Sequence, residues 1–130
     1  MLGTELPVDA AEDSYSFWPV LTGRSPRNPR DAIVHHSMSR HFAIRQGPWK
    51  LCLAYGSGSW SAPNEKKAKK SGLPKIELYQ IEEDLSEQNT LQSNKVSELT
   101  NLLKQYVNRG RSTPGPEQDN DARIEIWKSK

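Results

Sequence analysis

Short stretches of apolar, β-branched and aromatic residues predict four β-strands in the first two thirds of the chain. The stretches are rich in β-branched or aromatic residues and end at Ser-rich or Gly-rich segments, which are the usual boundaries of strands. In the third stretch, Trp49, Leu51 and Leu53 occupy every second position, a pattern typical of a sheet covered on one side. Short connections between the first three stretches favour an antiparallel meander. The predicted strands are residues 32–36, 42–45, 49–55 and 76–81.

A second periodicity predicts a long helix over residues 95–109. Apolar residues recur there with a period of 3.6, so that they form one stripe. Asn94 is suited to the N-cap, and Gly110 follows the last turn as a helix-ending glycine. The expected fold class is therefore α+β, a small four-stranded antiparallel sheet packed by one long C-terminal helix. The predicted stripe is Val96, Leu99, Leu102, Leu103, Tyr106 and Val107.

The two ends of the chain are predicted to be short or irregular. Residues 14–21 form an apolar island that predicts a short helix, with Asp13 or Ser14 as its cap. Residues 111–121 are rich in Pro, Gly and polar side chains, which favours an irregular tail. The apolar patch at 124–127 is too short to stand alone, so we expect it to add an edge strand or to dock on a neighbour.

The stretch 56–74 predicts a long loop because it is dominated by Gly, Ser, Pro and Lys. Gly-Ser-Gly at 56–58 is interpreted as a turn, since no phosphate-loop ending follows it. The basic run at 66–70 is expected to be solvated or to form an anion-attracting edge. Trp60 is the one aromatic residue of this loop. His41, in the turn between the first two strands, is expected to be exposed.

Composition limits the chain to one small domain with a thin core. Independent domains cluster near ~100–150 residues, and this chain has 130. Counted without Tyr and with Gly, apolar residues make up roughly 37% of it, against a usual ~45–50%. Either long polar loops cause the deficit, or part of the core belongs to protein outside this chain.

Charge and hydropathy exclude two kinds of partner. Eighteen Lys and Arg against sixteen Asp and Glu leave a net charge of +2. That excess is too small for a surface that neutralises phosphates, so no nucleic-acid partner is expected. No stretch approaches the ~18 apolar residues of a spanning helix, so no membrane span is expected.

The residues that could carry chemistry do not form a catalytic set. Cys52, the single cysteine, has no His close to it in sequence and is interpreted as a small buried hydrophobe. His35 and His36 are neighbours on one strand, so they point to opposite faces and at most one faces a pocket. That histidine is either structural or in contact with a ligand.

Two charged pairs leave alternatives open. Arg45 and Lys50 flank a Gln-Gly-Pro turn, where a cation either binds an anionic group or is merely solvated. Asp84 and Glu87 follow a strand end, but Ca²⁺ needs more oxygen ligands than this pair offers, so a cap and turn role is favoured. We therefore predict no catalytic residue and no metal ligand in this chain.

Two motifs in fixed order resemble a known family. Phe-Ala-Ile-Arg-Gln-Gly-Pro-Trp-Lys-Leu at 42–51 is followed by Leu-Tyr-Gln-Ile-Glu-Glu-Asp-Leu-Ser-Glu-Gln-Asn at 78–89. With His-His-Ser at 35–37 and Gly-Ser-Gly-Ser-Trp-Ser at 56–61, they resemble the C-terminal part of the arylsulfatase family. The likeness is to bacterial sulfatases of the arylsulfatase A-like or N-acetylgalactosamine-6-sulfatase-like kind, and it covers nearly the whole chain. One departure is Arg40, where family members often carry Gly.

The resemblance implies a sulfatase C-terminal subdomain that packs against a large α/β catalytic domain. It implies that residues 1–30 are a linker and short helix leading from that missing domain, 31–110 the subdomain, and 111–130 an extended tail. In the family, sulfate esters are hydrolysed by a formylglycine formed in a Cys/Ser-x-Pro-x-Arg motif beside Ca²⁺. Cys52 is followed by Leu-Ala-Tyr-Gly, so this motif is not met. Ca²⁺ and formylglycine are expected in the missing catalytic domain, and no cofactor is expected on this chain.

The predicted function is a C-terminal fragment of a sulfatase, inactive alone, that contributes scaffold and a rim of the substrate cleft. The substrate implied is a sulfated carbohydrate or an aryl sulfate, and the rim residues are His35, His36, Arg45 and Lys50. The alternative is a free-standing, non-catalytic module that binds sulfated glycan or a protein partner through the 56–74 loop. Full-length relatives are usually periplasmic or secreted, and these residues do not locate this chain.

Overall fold

The computed structural model describes residues 6–26, 29–58 and 60–128, which form two compact units. The larger unit contains the described residues of 32–103 and 125–128. The smaller unit contains the described residues of 6–31 and residues 104–124. Among the described residues, none of the helices combines the length and the apolar character needed to cross a bilayer.

The larger unit is built on a four-stranded antiparallel sheet, which confirms the predicted fold class. In their order across the sheet, the strands are β1 Ala32–His36, β2 Phe42–Gln46, β3 Trp49–Cys52 and β4 Glu77–Gln80. Between β2 and β3, Gly47 has a φ of +55° and precedes Pro48, as suits a two-residue hairpin turn with glycine first. The third strand is shorter than predicted. Beyond Cys52, the Leu53 N–H still donates to the Phe42 carbonyl (2.9 Å), and the strand itself ends at Cys52.

One face of this sheet supplies the core of the unit. Val34, Ile44, Leu51 and Leu78 are paired in register across all four strands, so they form one row. Each fully buried side chain of this size contributes about 2 kcal/mol to stability. The core is small, as the composition suggested. Its largest fully buried side chains among the described residues are Ile44, Leu51, Leu53, Leu78, Leu99 and Leu103.

The long helix α3, Lys95–Arg109, has the bounds that the apolar stripe predicts. Its residues up to Leu103 belong to the larger unit and those from Lys104 to the smaller one. Gly110 ends it with a φ of +62°, and its N–H donates to the Val107 carbonyl (3.2 Å), as expected of a helix-ending glycine.

A second helix, α2 at Glu65–Lys70, lies where a loop was predicted, so that prediction is wrong. The Asn64 side chain accepts a hydrogen bond from the Lys67 N–H (3.0 Å), which caps the first turn. Glu65 pairs with Lys69 one turn later (2.7 Å), and Ala68 is completely buried. One buried alanine among four lysines gives too weak a periodicity to be seen in the sequence.

His41 is buried, not exposed as predicted, because α2 covers the turn that carries it. Its Nε2 lies 3.5 Å from the Glu65 carboxylate. Its backbone N–H donates to the Ser37 hydroxyl (3.2 Å), which donates in turn to the Gly58 carbonyl (3.0 Å). Glycine at 58, with a φ of +68°, allows this close approach, so the predicted Gly-Ser-Gly turn is confirmed.

The smaller unit is held by hydrogen bonds between residues near positions 8–15 and 111–116. The buried Arg111 side chain donates to the carbonyls of Val8 (3.2 Å) and Pro116 (3.0 Å). The Thr113 hydroxyl donates to the Glu12 carbonyl (2.6 Å), and the Tyr15 hydroxyl to the Ser112 carbonyl (2.7 Å). These segments lie in the predicted linker and the predicted tail, and the three-part division of the chain stays a prediction.

The short helix α1, Trp18–Leu21, begins later than predicted, and the predicted cap is wrong. Its N-cap is Phe17, which makes no side-chain bond, and Pro19 stands in the first turn, where a fixed φ is favourable. Asp13 instead accepts a hydrogen bond from the Ser112 N–H (2.9 Å).

The late apolar patch forms no strand in the described residues. Its end is tied to the larger unit by Lys128, whose ammonium donates to the Ser39 carbonyl (2.6 Å). The Lys128 carbonyl accepts a hydrogen bond from Lys75 (3.2 Å). Of the two predicted outcomes, the edge strand is not observed among the described residues, and docking of the patch on a neighbour stays a prediction.

Candidate functional site

The second face of the sheet carries polar side chains and faces a cavity of about 530 Å³. Register places Arg45 opposite Lys50, and Lys50 opposite Tyr79. One step along, Ala43 lies opposite Cys52, and Cys52 opposite Glu77. The central strands therefore present small residues in the middle of the cavity and polar groups around them. Polar residues in the lining include His35, His36, Lys50, Glu77, Tyr79 and Glu87.

Lys50, one of the four predicted substrate-binding residues, forms an ion pair inside this cavity. Its ammonium donates to both carboxylate oxygens of Glu87, at 2.5 and 2.7 Å. Both side chains are partly buried, so the pair is less screened than one on an open surface. The charge of Lys50 is therefore balanced by Glu87 before any ligand arrives.

A turn built by Asp84 holds Glu87 in position. The Asp84 carboxylate accepts hydrogen bonds from the Gln88 N–H (3.1 Å) and the Asn89 N–H (2.7 Å), which confirms its predicted cap and turn role. These backbone hydrogen bonds lower the pKa of Asp84. Glu87 has a φ of +54°, a left-handed conformation that is strained for a residue with a side chain. The turn keeps that conformation and directs Glu87 to Lys50.

His35 lines the cavity, and its pKa is lowered from the ordinary value of 6.5, which favours the neutral imidazole at neutral pH. Burial lowers the pKa of His35 first, and the neighbouring Lys50 charge lowers it further. A neutral imidazole has one donor and one acceptor nitrogen, which suits a hydroxyl better than an anion.

Of the other two predicted site residues, His36 also lines the cavity, whereas Arg45 is not among the described residues of its lining. His36, on the opposite face of β1, lies edge-on to Phe42 with ring centroids 6.2 Å apart, and its Nδ1 lies 3.1 Å from the Ser37 carbonyl oxygen. Arg45 is exposed, and its Nε donates to the Gly47 carbonyl (3.1 Å). His35, His36 and Lys50 therefore line one cavity, and Arg45 lies on the same face of the sheet, in register with Lys50.

Sequence reasoning missed Glu77 and Tyr79. Burial raises the pKa of both side chains, and the neighbouring Glu77 carboxylate raises that of Tyr79 further. The alternation of β4 around Leu78 was the signal available, because it sets both residues on the face opposite the core.

The site contains no activated nucleophile among the described residues. Burial raises the pKa of the Cys52 thiol to about 11, so it stays protonated and weakly reactive at neutral pH. In the part of the chain that the structure describes, no three His, Cys, Asp or Glu side chains converge as metal ligands would. The residues present therefore fit neither a calcium site nor a formylglycine precursor.

Comparisons with known proteins agree with the resemblance at a coarse level. No protein-family model matches the chain, and no curated protein matches it. A solved structure from Bacteroides thetaiotaomicron does, described as "Metabolism of multiple glycosaminoglycans by Bacteroides thetaiotaomicron is orchestrated by a versatile core genetic locus" and labelled BT33336S-sulf. The TM-score is 0.57 and the sequence identity 28%, over 78% of this chain and 21% of that chain. The chain is therefore similar in sequence and fold to about one fifth of a sulfatase.

Proposed function

We propose that this chain is the C-terminal region of a sulfatase and takes part in sulfate-ester hydrolysis only together with a catalytic domain. The observation that carries the proposal is the likeness to a sulfatase over 78% of this chain and only 21% of that chain. The match covers about one fifth of that sulfatase, so most of that protein's length lies outside the match.

The proposed division of labour follows from what the described residues lack. The Cys52 thiol is held protonated, and the residues after it do not form the formylglycine motif. Formylglycine and Ca²⁺ would therefore be held by the catalytic domain, where they supply the chemistry of sulfate-ester cleavage. This chain would contribute scaffold and one wall of the substrate cleft.

We assign the wall to the polar face of the sheet and the substrate to sulfated sugars. The Bacteroides protein is described in the context of glycosaminoglycan metabolism, and those polymers carry hydroxyl and sulfate groups. The neutral His35 suits a sugar hydroxyl. Arg45 is exposed and uses one of its five N–H donors on the Gly47 carbonyl, so the rest of its fork suits a sulfate oxygen. Lys50, balanced by Glu87, would position a hydroxyl rather than bind sulfate, and His36 would lie at the edge.

Activity measurements test the proposal. The purified 130-residue chain should not hydrolyse a chromogenic aryl sulfate, whereas the product of the same reading frame extended upstream should. Turnover by the 130-residue chain alone would refute the proposal.

In the extended protein, Arg45→Gln should raise KM for a sulfated monosaccharide about ten-fold, because a charge-assisted bond to sulfate is lost. Lys104→Gln, on the exposed side of α3, is the matched control and should leave KM unchanged. If the two substitutions changed KM equally, Arg45 would not be a residue of the rim that contacts substrate.

A further inference from the structure

A second cavity, of about 550 Å³, lies beside helix α2. It shares His41 and Ala54 with the first cavity, and the other described residues of its lining differ. The charged and aromatic groups around it are Tyr55, Glu65, Lys69, Lys75 and Lys128, with His41.

The lining is strongly positive for its size. Three ammonium groups face one carboxylate, that of Glu65, so the lysines and Glu65 together leave an excess of two positive charges. The whole chain has a formal net charge of +2. An excess equal to that of the entire protein is therefore concentrated on one concave wall, where a positive potential attracts anions.

Protein contacts fix the positions of the three ammonium groups. Lys75 donates to the Lys128 carbonyl (3.2 Å), and Lys128 donates to the Ser39 carbonyl (2.6 Å). Lys69 pairs with Glu65 (2.7 Å) and lies 5.0 Å from the centre of the Tyr55 ring. An ammonium has three N–H donors, so a lysine anchored by one acceptor still has donors for a ligand.

Glu65 does not cancel this attraction. Its two carboxylate oxygens lie 2.7 Å from Lys69 and 3.5 Å from His41, so its charge is turned towards neighbouring groups of the wall. The hydrogen bond from Lys69 lowers the pKa of the Glu65 carboxyl, so Glu65 stays ionised at neutral pH. Its negative charge therefore still repels an anion in the cavity.

We propose that this cavity binds a tetrahedral oxyanion, a sulfate or phosphate group, between Lys69, Lys75 and Lys128. Three separate ammonium donors suit the several oxygens of such a group, and charge-assisted hydrogen bonds to them are the strong kind. The site is distinct from the polar face of the sheet and does not depend on the sulfatase relationship.

The test is a titration of the ¹⁵N-labelled 130-residue chain with sodium sulfate, sodium phosphate or glucose 6-sulfate, at an ionic strength held constant with NaCl. Amide signals of Ser39, Tyr55 and Lys128 should shift and saturate. Tighter binding of glucose 6-sulfate than of the free ions would identify an ester group as the ligand, and the reverse order a free ion.

Three variants separate binding from folding. Lys69→Gln should weaken binding about five-fold, and Glu65→Gln should tighten it about five-fold, because one removes an attractive and the other a repulsive charge. Lys66→Gln, exposed on the same helix and outside the lining, should leave it unchanged. A folding defect cannot produce the gain expected of Glu65→Gln.

Shifts that grow linearly without saturation for all three salts would overturn the proposal. Binding that is no tighter in Glu65→Gln than in the unmodified chain would do so as well, since the charge of the wall would then play no part.

Discussion

Single residues set the electrostatics of the polar face of the sheet. Glu87 balances Lys50, and the two act on His35 in opposite directions, because the cation lowers the pKa of the imidazole and the carboxylate raises it. Burial is the larger cause of the lowered pKa. The face therefore offers a neutral imidazole beside a compensated ion pair, which suits hydroxyl groups.

The pKa of His35 should lie below 6.5 in the folded chain and respond oppositely to two substitutions. Lys50→Met should raise it and Glu87→Gln should lower it further. Imidazole ¹H chemical shifts followed against pH provide the measurement. A shift in the same direction for both variants would show that the ion pair does not face His35.

The same lowered pKa makes stability depend on pH. Below pH 6.5 the unfolded chain takes up a proton at His35 that the folded chain does not, so the free energy of unfolding should fall as pH drops through the folded pKa. Above 6.5 this contribution is fully present. In His35→Gln, the free energy of unfolding should fall less steeply as pH drops below 6.5. Urea unfolding at several pH values provides the measurement.

Arg40 stands at a position that favours glycine. Its φ is +61°, in the left-handed region, which costs residues with a side chain about 1–2 kcal/mol. This strain gives a physical reason for the glycine that members of the resembled family often carry there.

Arg40→Gly should raise the free energy of unfolding by about 0.5–1 kcal/mol, since the relief of strain exceeds the added entropy of the unfolded chain. The neighbouring Ser39→Gly is the matched control, and Ser39 has no positive φ. It should lower stability by about 0.5–1 kcal/mol. Urea unfolding of the two variants should give opposite signs, and a loss of stability in Arg40→Gly would contradict the strain.

At the scale of elements, each of the two longer helices is followed by a left-handed glycine, with different surroundings. Gly72, after α2, has a φ of +72° and open space where a Cβ would lie. Gly110, after α3, has a φ of +62°, and a Cβ there would overlap the Gln118 carbonyl oxygen, which lies close because the Gln118 N–H donates to Arg109.

Gly72→Ala should therefore cost about 1 kcal/mol from backbone strain alone, and Gly110→Ala about 3 kcal/mol from strain and overlap together. The difference between the two values isolates the close approach of the 118 segment. Thermal or urea unfolding gives both, and equal costs would mean that this approach is absent in solution.

Local pattern was sufficient for the elements with many apolar positions. The apolar stripe of α3 spans four turns, and this helix was predicted. Strands β2 and β3, which carry Ile44 and Leu51 on one face, were predicted as well. Helix α2 was missed, although its cap Asn64 and its terminal Gly72 were readable signals, because only Ala68 marks its buried side.

Contacts between distant residues could not be predicted from the sequence. Lys50 and Glu87 are 37 positions apart, and their pairing depends on the turn built by Asp84. The burial of His41 depends on α2, 24 positions further on, so a correct helix prediction was needed first. The four proposed rim residues were found by resemblance, and their contact with substrate stays a prediction.

At the scale of the whole molecule, several large apolar side chains are exposed to solvent. In the smaller unit Leu6, Val8 and Leu21 are each about 70% exposed or more, and α1 has no buried residue. In our account, these exposed side chains and the low apolar fraction of the chain have one cause, because part of the contact surface would come from a catalytic domain.

Leu21→Ser should leave the free energy of unfolding within about 0.5 kcal/mol of the unmodified chain and reduce its binding of a hydrophobic dye. Leu99→Ser, in contrast, should cost at least about 3 kcal/mol because that side chain is completely buried. Dye fluorescence and urea unfolding of the two variants distinguish an exposed docking residue from a core residue. A large loss of stability in Leu21→Ser would show that it is already packed.

The central claim, that this chain is the smaller part of a sulfatase, is tested most directly by sequencing the DNA upstream of its first codon. Our account predicts an open reading frame in the same phase that encodes a Cys/Ser-x-Pro-x-Arg segment. An in-frame stop codon just upstream, followed by a promoter of the chain's own, would contradict it and favour a free-standing binding module.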